Sequence, residues 1–231
     1  MEKIEGIKVI AFDADDTLWV NEPYFQEIEN KFCEMMEVYH PRHTVSRELL
    51  GREIRNLEDY GYGIKSFMLS MIETAIDISD STIKVEVIER IIQYGKEMLH
   101  KPIELLDGVE NVLGQVSKQF RVVMATKGDL LDQERKLIKS GLEKYFHHIE
   151  ILSDKKEINY QKLIRHLDIN PGQFLMIGNS LKSDVLPVLN LGGWACHVPF
   201  HTTWEHEKID YSIENQKFRQ FTSISDLLEI I

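Results

Sequence analysis

The chain has 231 residues, 43% hydrophobic and 28% charged. A chain of this size buries roughly 70% of the surface it exposes when unfolded, which excludes a disordered polypeptide. Its 27 basic and 38 acidic residues give a net charge of −11, which excludes a scaffold held to nucleic acid by phosphate contacts. The two cysteines, Cys33 and Cys196, stand far apart without CxxC or Cys/His ligand spacing, so neither a disulfide framework nor a structural zinc site is indicated, and both read as small core residues.

The segment Met1 to Gly6 carries acidic residues and no apolar stretch of signal-peptide length, and no run of about 18 apolar residues occurs anywhere, so the expectation is a soluble cytoplasmic protein with no membrane or nucleic-acid partner. Short apolar runs ending in Gly, Asp, Ser or Thr then recur, separated by helical patterns, as in a parallel sheet built from βαβ units. The expected strands are Lys8 to Phe12, Arg121 to Ala125, His148 to Leu152, Phe174 to Ile177 and Trp194 to Val198. Crossover helices are expected at Leu130 to Ser140, closed by Gly141, and at Tyr160 to Leu167, followed by Pro171. The first gap is different: about a hundred residues, where a crossover needs a dozen or so. Within it Phe25, Ile28, Phe32, Met35 and Tyr39 recur at intervals of three and four, as do Ile88, Ile91, Ile92, Gly95 and Leu99, marking amphipathic helices. The fold class is therefore α/β, a Rossmann-like parallel sheet with helices on both faces. Its core is expected over 1–18 and 104–231, with an inserted all-helical domain over 19–103.

In an open parallel sheet ligands bind beyond the carboxyl ends of the strands. The first strand runs into Asp13-Ala14-Asp15-Asp16-Thr17, the second into Thr126-Lys127-Gly128, the third into Ser153-Asp154-Lys155-Lys156, and the fourth into Gly178-Asn179-Ser180-Leu181-Lys182-Ser183-Asp184. Clustered carboxylates persist only if a cation or shared protons offset their repulsion. Magnesium suits one or two carboxylates plus water and phosphate, which Asp13, Asp184 and the amide oxygen of Asn179 can supply. The hydroxyl and backbone N–H groups around Thr126 and Gly128, with a following lysine, can hold phosphate oxygens, which makes this a phosphoryl-transfer site. Lys127 has two readings, a phosphate contact and a solvated lysine. The acidic turn after the first strand is not an EF-hand loop, because Leu18 and Tyr24 stand where Gly and the bidentate Glu are required.

These motifs resemble the haloacid dehalogenase superfamily, in the branch with a helical cap inserted after the first strand. The DxDxT motif is matched by Asp13 to Thr17, the second motif by Thr126, the lysine by Lys155 with Lys156 as close competitor, and the fourth motif by Gly178 to Asp184, departing at Asn179 where the family usually has an aspartate. The resemblance implies Mg2+ held by Asp13, the Asp15 carbonyl, Asn179 and Asp184, and catalysis by Asp13 as nucleophile, Asp15 as acid and base, Thr126 and Lys155. Neighbouring carboxylates are expected to favour the neutral form of Asp15 needed in the first step. The implied activity is phosphatase action on a small phosphorylated substrate. A phosphomutase and a non-catalytic phospholigand-binding protein, the latter suggested by Asn179, stay open, whereas a 2-haloacid dehalogenase has no use for Asp15.

Among the remaining features, Asp129 reads as an N-cap. His147-His148 opens a strand and reads as structural, with no acidic or cysteine partner at ligand spacing. Tyr60-Gly61-Tyr62-Gly63-Ile64-Lys65 is a glycine-interrupted loop with two readings, ligand contact and simple turn. His201 to Glu207 follows the fifth strand on the ligand side and likewise reads as substrate contact or as cover for the core edge.

Overall fold

Residues 3–231 are described by a computed structural model. Alternation along the central strands builds the sheet. In β1 (Val9–Phe12), Ile10 and Phe12 face one core while Val9 and Ala11 face the other. The same division holds for Val122 and Met124 against Val123 and Ala125 in β2 (Arg121–Lys127), and for Leu175 and Ile177 against Phe174 and Met176 in β4 (Phe174–Gly178). Strands apolar on both faces need helices on both, which is the condition for a parallel sheet. With β3 (His148–Leu152), β5 (Trp194–His197) and β6 (Phe218–Gln220) the sheet has six strands, all parallel, in the order β3-β2-β1-β4-β5-β6. The reversal of direction at β1 and β4 is the switch point at which open sheets of this kind bind ligands.

The chain divides into two compact units. The α/β unit runs through Glu22 and then takes in Ile103–Lys127 and Glu134–Ile231. Taking the helices of the whole chain in order, the first four are α1 (Glu22–Met36), α2 (Arg42–Tyr60), α3 (Ile64–Ile78) and α4 (Val85–His100), followed by α5 (Val109–Val116), α6 (Leu130–Ser140), α7 (Glu157–His166) and α8 (Leu186–Asn190). One face of the sheet is covered by Val112, Leu113 and Val116 of α5, Leu137 of α6 and Leu227 near the C-terminus. The other is covered by Tyr160, Leu163 and Ile164 of α7 and by Val188 of α8.

The helical unit holds Pro23–Pro102 and Gly128–Gln133. Its core is Ile28, Phe32, Val45, Leu49, Phe67, Met71, Ile91, Tyr94 and Met98, with Phe25, Met35, Ile88 and Leu99 packed at its margin. Gly95 lets α3 approach α4, since a Cβ there would lie 2.8 Å from the Met68 sulfur. Within this unit Asp129 accepts the backbone N–H of Asp132 at 3.1 Å and so caps α6, and its other oxygen pairs with Lys65 at 2.9 Å.

Three differences from the sequence reading have physical causes. β2 extends to Lys127 because its pairing with β3 continues to Leu152. α7 starts three residues before Tyr160, with acidic Glu157 in its first turn, where it favours the helix N-terminus. β6 was not anticipated: it is a three-residue edge strand with a charged and a polar residue, and it carries no apolar run. Cys33 and Cys196 are both buried, and burial pushes their thiols up to about 11 and about 12.

Candidate active site

β1 ends at Asp13, whose N–H donates to the Ile177 carbonyl at 2.8 Å, so the first residue beyond β1 stays tied to β4. The chain then turns, Leu18 N–H donating to the Ala14 carbonyl at 2.8 Å, and Thr17 comes back to donate its hydroxyl to Asp13 Oδ2 at 3.1 Å. Asp16 takes φ +60°, a conformation aspartate tolerates, and its carboxylate accepts the N–H groups of Asn21 and Glu22 at 2.8 and 2.9 Å. Burial nevertheless pushes Asp16 up to about 7, with those N–H groups acting against it. Asp15 receives the Trp19 indole N–H at 2.7 Å and Lys136 Nζ at 2.9 and 3.1 Å. Beside the neighbouring carboxylates expected around Asp15, Lys136 of α6 brings a cation to it, and also donates to Asn21 Oδ1 at 2.8 Å.

Thr126, near the end of β2, is buried, its hydroxyl making only a long 3.4 Å bond to the Lys127 carbonyl. Lys127 turns to the loop after β4, donating to Ser183 Oγ at 2.9 Å and to Glu207 at 2.5 Å, so its solvated reading is not what the geometry presents. Gly128 has φ +144° and groups with the helical unit. After β3, Lys155 is buried and reaches Asp13 Oδ1 at 2.5 Å and Asp184 Oδ1 at 2.6 Å. Lys156 is 73% exposed and pairs with Asp154 at 2.8 Å. Geometry thus brings Lys155, and not its neighbour, to the carboxylates.

Beyond β4, Gly178 answers to Asp184: a Cβ at 178 would sit 2.2 Å from the Asp184 carboxylate. The Ser180 N–H donates to Asp184 Oδ2 at 3.0 Å, and the Ser180 hydroxyl accepts the Ser183 N–H at 3.0 Å, capping the single π-helical turn Leu181–Val185 that carries Asp184 inward. From β5, His197 Nε2 donates to the Asn179 carbonyl at 2.9 Å and so holds the loop from below. Burial lowers the pKa of His197, which favours this neutral donor form. Glu207 accepts the hydroxyls of Ser180 and Ser183, each at 2.5 Å, besides Lys127. Burial opposes its ionisation, but Lys127 and the two serines outweigh burial and pull the carboxyl down to about 2. The segment His201 to Glu207 thereby contributes a support to the loop that carries Asn179 and Asp184.

Asp13, Asp184 and Lys155 form a buried triad of two carboxylates and one ammonium. Burial pushes Asp13 up to about 7, against the pull of Lys155 and with the push of Asp184. Burial alone would discharge Lys155, yet the two carboxylates outweigh it and hold the ammonium well above its usual range. One uncompensated buried negative charge is the condition under which a second cation stabilises a site. The Asn179 amide lies 3.3 Å from Asp13 Oδ2 and from the Asp15 carbonyl. With its nitrogen toward them it donates to both; with its oxygen toward them it completes a patch of three oxygens. Neighbouring oxygens around Mg2+ stand about 3 Å apart, given bonds of 2.0–2.1 Å at right angles. The oxygens of Asp13, the Asp15 carbonyl and Asn179 therefore have a spacing close to that of ligands around a hard divalent cation.

Lys136, Ser180, Ser183 and His197 escape the sequence reading as parts of this site, and Glu207 enters it only within the His201 to Glu207 segment on the ligand side. None stands directly after an apolar run in a motif position, except the serines, which lie inside the fourth motif at positions where any residue type is allowed.

The parallel sheet thus brings an acidic cluster and a buried lysine together at the ends of β1, β3 and β4. The match to known proteins is specific: the haloacid dehalogenase-like hydrolase family matches residues 7–192, and the chain belongs to that family. A haloacid dehalogenase-like family hydrolase from Xanthomonas campestris is 35% identical, with a TM-score of 0.87 over 98% of this chain and 93% of that one. The mouse (Mus musculus) N-acylneuraminate-9-phosphatase is 30% identical over 93 residues, a match that spans 38% of this chain and 38% of that protein's length. A 2-haloacid dehalogenase from Pseudomonas syringae pv. Tomato shares the fold at a TM-score of 0.64 and 15% identity, covering 96% of this chain and 97% of that chain. One fold thus serves proteins named for two reactions, so the reaction has to be argued from the site. Among the described residues no helix is long and apolar enough to cross a membrane.

Proposed function

We propose that the protein is a Mg2+-dependent phosphatase that hydrolyses a small phosphorylated metabolite through an aspartyl-phosphate on Asp13. The observation that carries this reading is the Asp13–Lys155–Asp184 triad, with bonds of 2.5 and 2.6 Å, beside a second carboxylate two residues along the same turn. A carboxylate approaches a phosphate dianion only where cations neutralise charge. Mg2+ would be held by Asp13, the Asp15 carbonyl, Asn179 and Asp184, and when bound it supplies charge neutralisation and orientation of the phosphate.

In the first step an Asp13 carboxylate oxygen attacks phosphorus in line, the bond from phosphorus to the leaving oxygen breaks, and Asp15 gives that oxygen its proton. In the second step Asp15 takes a proton from water, the water oxygen bonds to phosphorus, and the phosphorus–Asp13 bond breaks, returning the enzyme and free phosphate. Lys155 and the hydroxyl and N–H groups of Thr126, Lys127 and Gly128 hold the phosphate oxygens. Lys136 and Trp19 fix the direction of the Asp15 carboxyl. In this reading the inserted helical domain is the cap that selects the leaving group and excludes water. The phosphatase-named relatives support phosphate monoesters as the substrate class. The carboxyl of Asp15 supports a proton-donating role that a dehalogenase would not use.

The test is hydrolysis of p-nitrophenyl phosphate with and without Mg2+. The proposal expects turnover that depends on a divalent cation. No turnover by folded protein with any divalent metal would leave a phospholigand-binding protein instead.

A further inference from the structure

We propose that the α/β unit carries a second, transition-metal site formed by His148, Glu150 and His166, which takes Zn2+. His148 and Glu150 are two apart on the edge strand β3 and so project to the same face. His166 is the last residue of α7, which returns antiparallel to the strands over that face. One ligand-competent atom from each of the three lies within 4.8 Å of the other two. His148 Nε2 and Glu150 Oε2 already meet at 2.7 Å, and the two imidazole rings lie 5.0 Å apart between centroids, tilted by 48°. The sequence reading found no acidic partner for His148. Glu150 is that partner, because strand geometry makes a residue two positions away a neighbour.

The chemistry selects the metal. Two imidazole nitrogens and one carboxylate oxygen match the borderline-soft N/O sets that bind Zn2+, with water in the remaining position, and match Mg2+ poorly, which prefers oxygen throughout. Tetrahedral Zn2+ with bonds of about 2.0–2.1 Å places its ligand atoms about 3.3 Å apart, so shifts of about 1.5 Å or less bring these three into place. The frame that holds them is built from the sheet and the buried core. His148 and Glu150 stand opposite Val123 and Ala125 in the ladder with β2, and α7 is anchored by buried Tyr160, Leu163 and Ile164 against those same two residues. The His148 and Glu150 side chains are 30% and 31% exposed, and His166 is exposed, so an ion reaches the site from solvent. His148 opens β3 whereas Lys155 follows its carboxyl end, so this site is separate from the acidic cluster and needs no part of the phosphatase reading. Bound Zn2+ would pin the free edge of the sheet to the end of α7.

The experiment is Zn2+ titration of tag-free protein against a chromophoric chelator, with millimolar Mg2+ present to occupy the acidic cluster. The expected result is one equivalent of Zn2+ per chain, retained in Asp13→Asn, with affinity at least about tenfold weaker in His166→Ala and in His148→Gln. A rise in melting temperature with Zn2+ should accompany binding in the wild type and disappear in both variants. His166 is exposed, so its replacement leaves folding intact, and circular dichroism checks this. Less than one equivalent bound by the wild type, or unchanged affinity in His166→Ala, would overturn the proposal.

Discussion

Lys155 and Lys156 are adjacent in sequence and opposite in environment, one buried between two carboxylates and one 73% exposed. Removing the ammonium of Lys155 leaves Asp13 and Asp184 facing each other without compensation, and breaking a buried pair of this kind costs about 3–5 kcal/mol. Lys155→Met should therefore unfold at markedly lower denaturant and lose turnover by about a thousandfold or more, while Lys156→Met should stay within about 0.5 kcal/mol of wild type. Equal effects in chemical denaturation would show that the buried triad does not exist in solution. Asn179 poses the complementary question. An amide oxygen carries no charge, so Asn179→Asp adds one carboxylate to the cation patch and should lower the Mg2+ concentration giving half-maximal rate; an unchanged or higher requirement means the side chain does not ligate. The motif residues could be read because each lies in the short segment that follows an apolar run. The sequence sets Lys155 ahead of Lys156 but keeps the second as a close competitor, because only the turn from β3 into α7 decides which one points inward.

Support at the scale of elements is concentrated in the loop after β4. Gly178 is irreplaceable there because the π-helical turn brings Asp184 back over it. Gly178→Ala must displace either the strand end or the carboxylate, at about 1–3 kcal/mol, and should weaken Mg2+ activation more than it weakens folding; denaturation curves and Mg2+ titrations of one preparation separate the two. Glu207 connects β2, this loop and the segment after β5. Its folded pKa of about 2 lies below the ordinary 4.5. Its charge therefore stabilises the fold fully above about pH 4.5, and that contribution is lost as pH falls from there toward about 2. Glu207→Gln should cost on the order of 3 kcal/mol near pH 7, a difference that shrinks as pH is lowered through this window. A gap that is constant from pH 7 to about pH 3 in urea denaturation would contradict the assignment. The sequence sets the segment His201 to Glu207 on the ligand side, but the pairing itself leaves no local pattern, since Glu207 lies in a short turn with no periodicity, about eighty residues from Lys127. Lys136 was hidden for a related reason: on a helix surface a lysine facing a site looks like a lysine facing water.

For the molecule as a whole, the central strands could be read because burial on both faces demands continuous apolar runs, and their order along the chain implied the crossovers. β6 and the placement of Gly128–Gln133 with the helical unit depend on long-range packing that leaves no local pattern. The net charge of −11 acquires a local meaning in the site. On the proposed reading, an acidic protein that handles phosphate has to concentrate its cations where the phosphate would sit, and here Lys155, Lys127 and Lys136 are each drawn inward by carboxylates. The central claim is that Asp13 becomes covalently phosphorylated, and acid quenching of the enzyme during turnover with Mg2+, followed by mass spectrometry of its peptides, measures this directly. The account predicts a phosphoryl increment on the peptide bearing Asp13, absent from Asp13→Asn, which should bind substrate but not turn it over. Turnover without that increment, undiminished in Asp13→Asn, would contradict it.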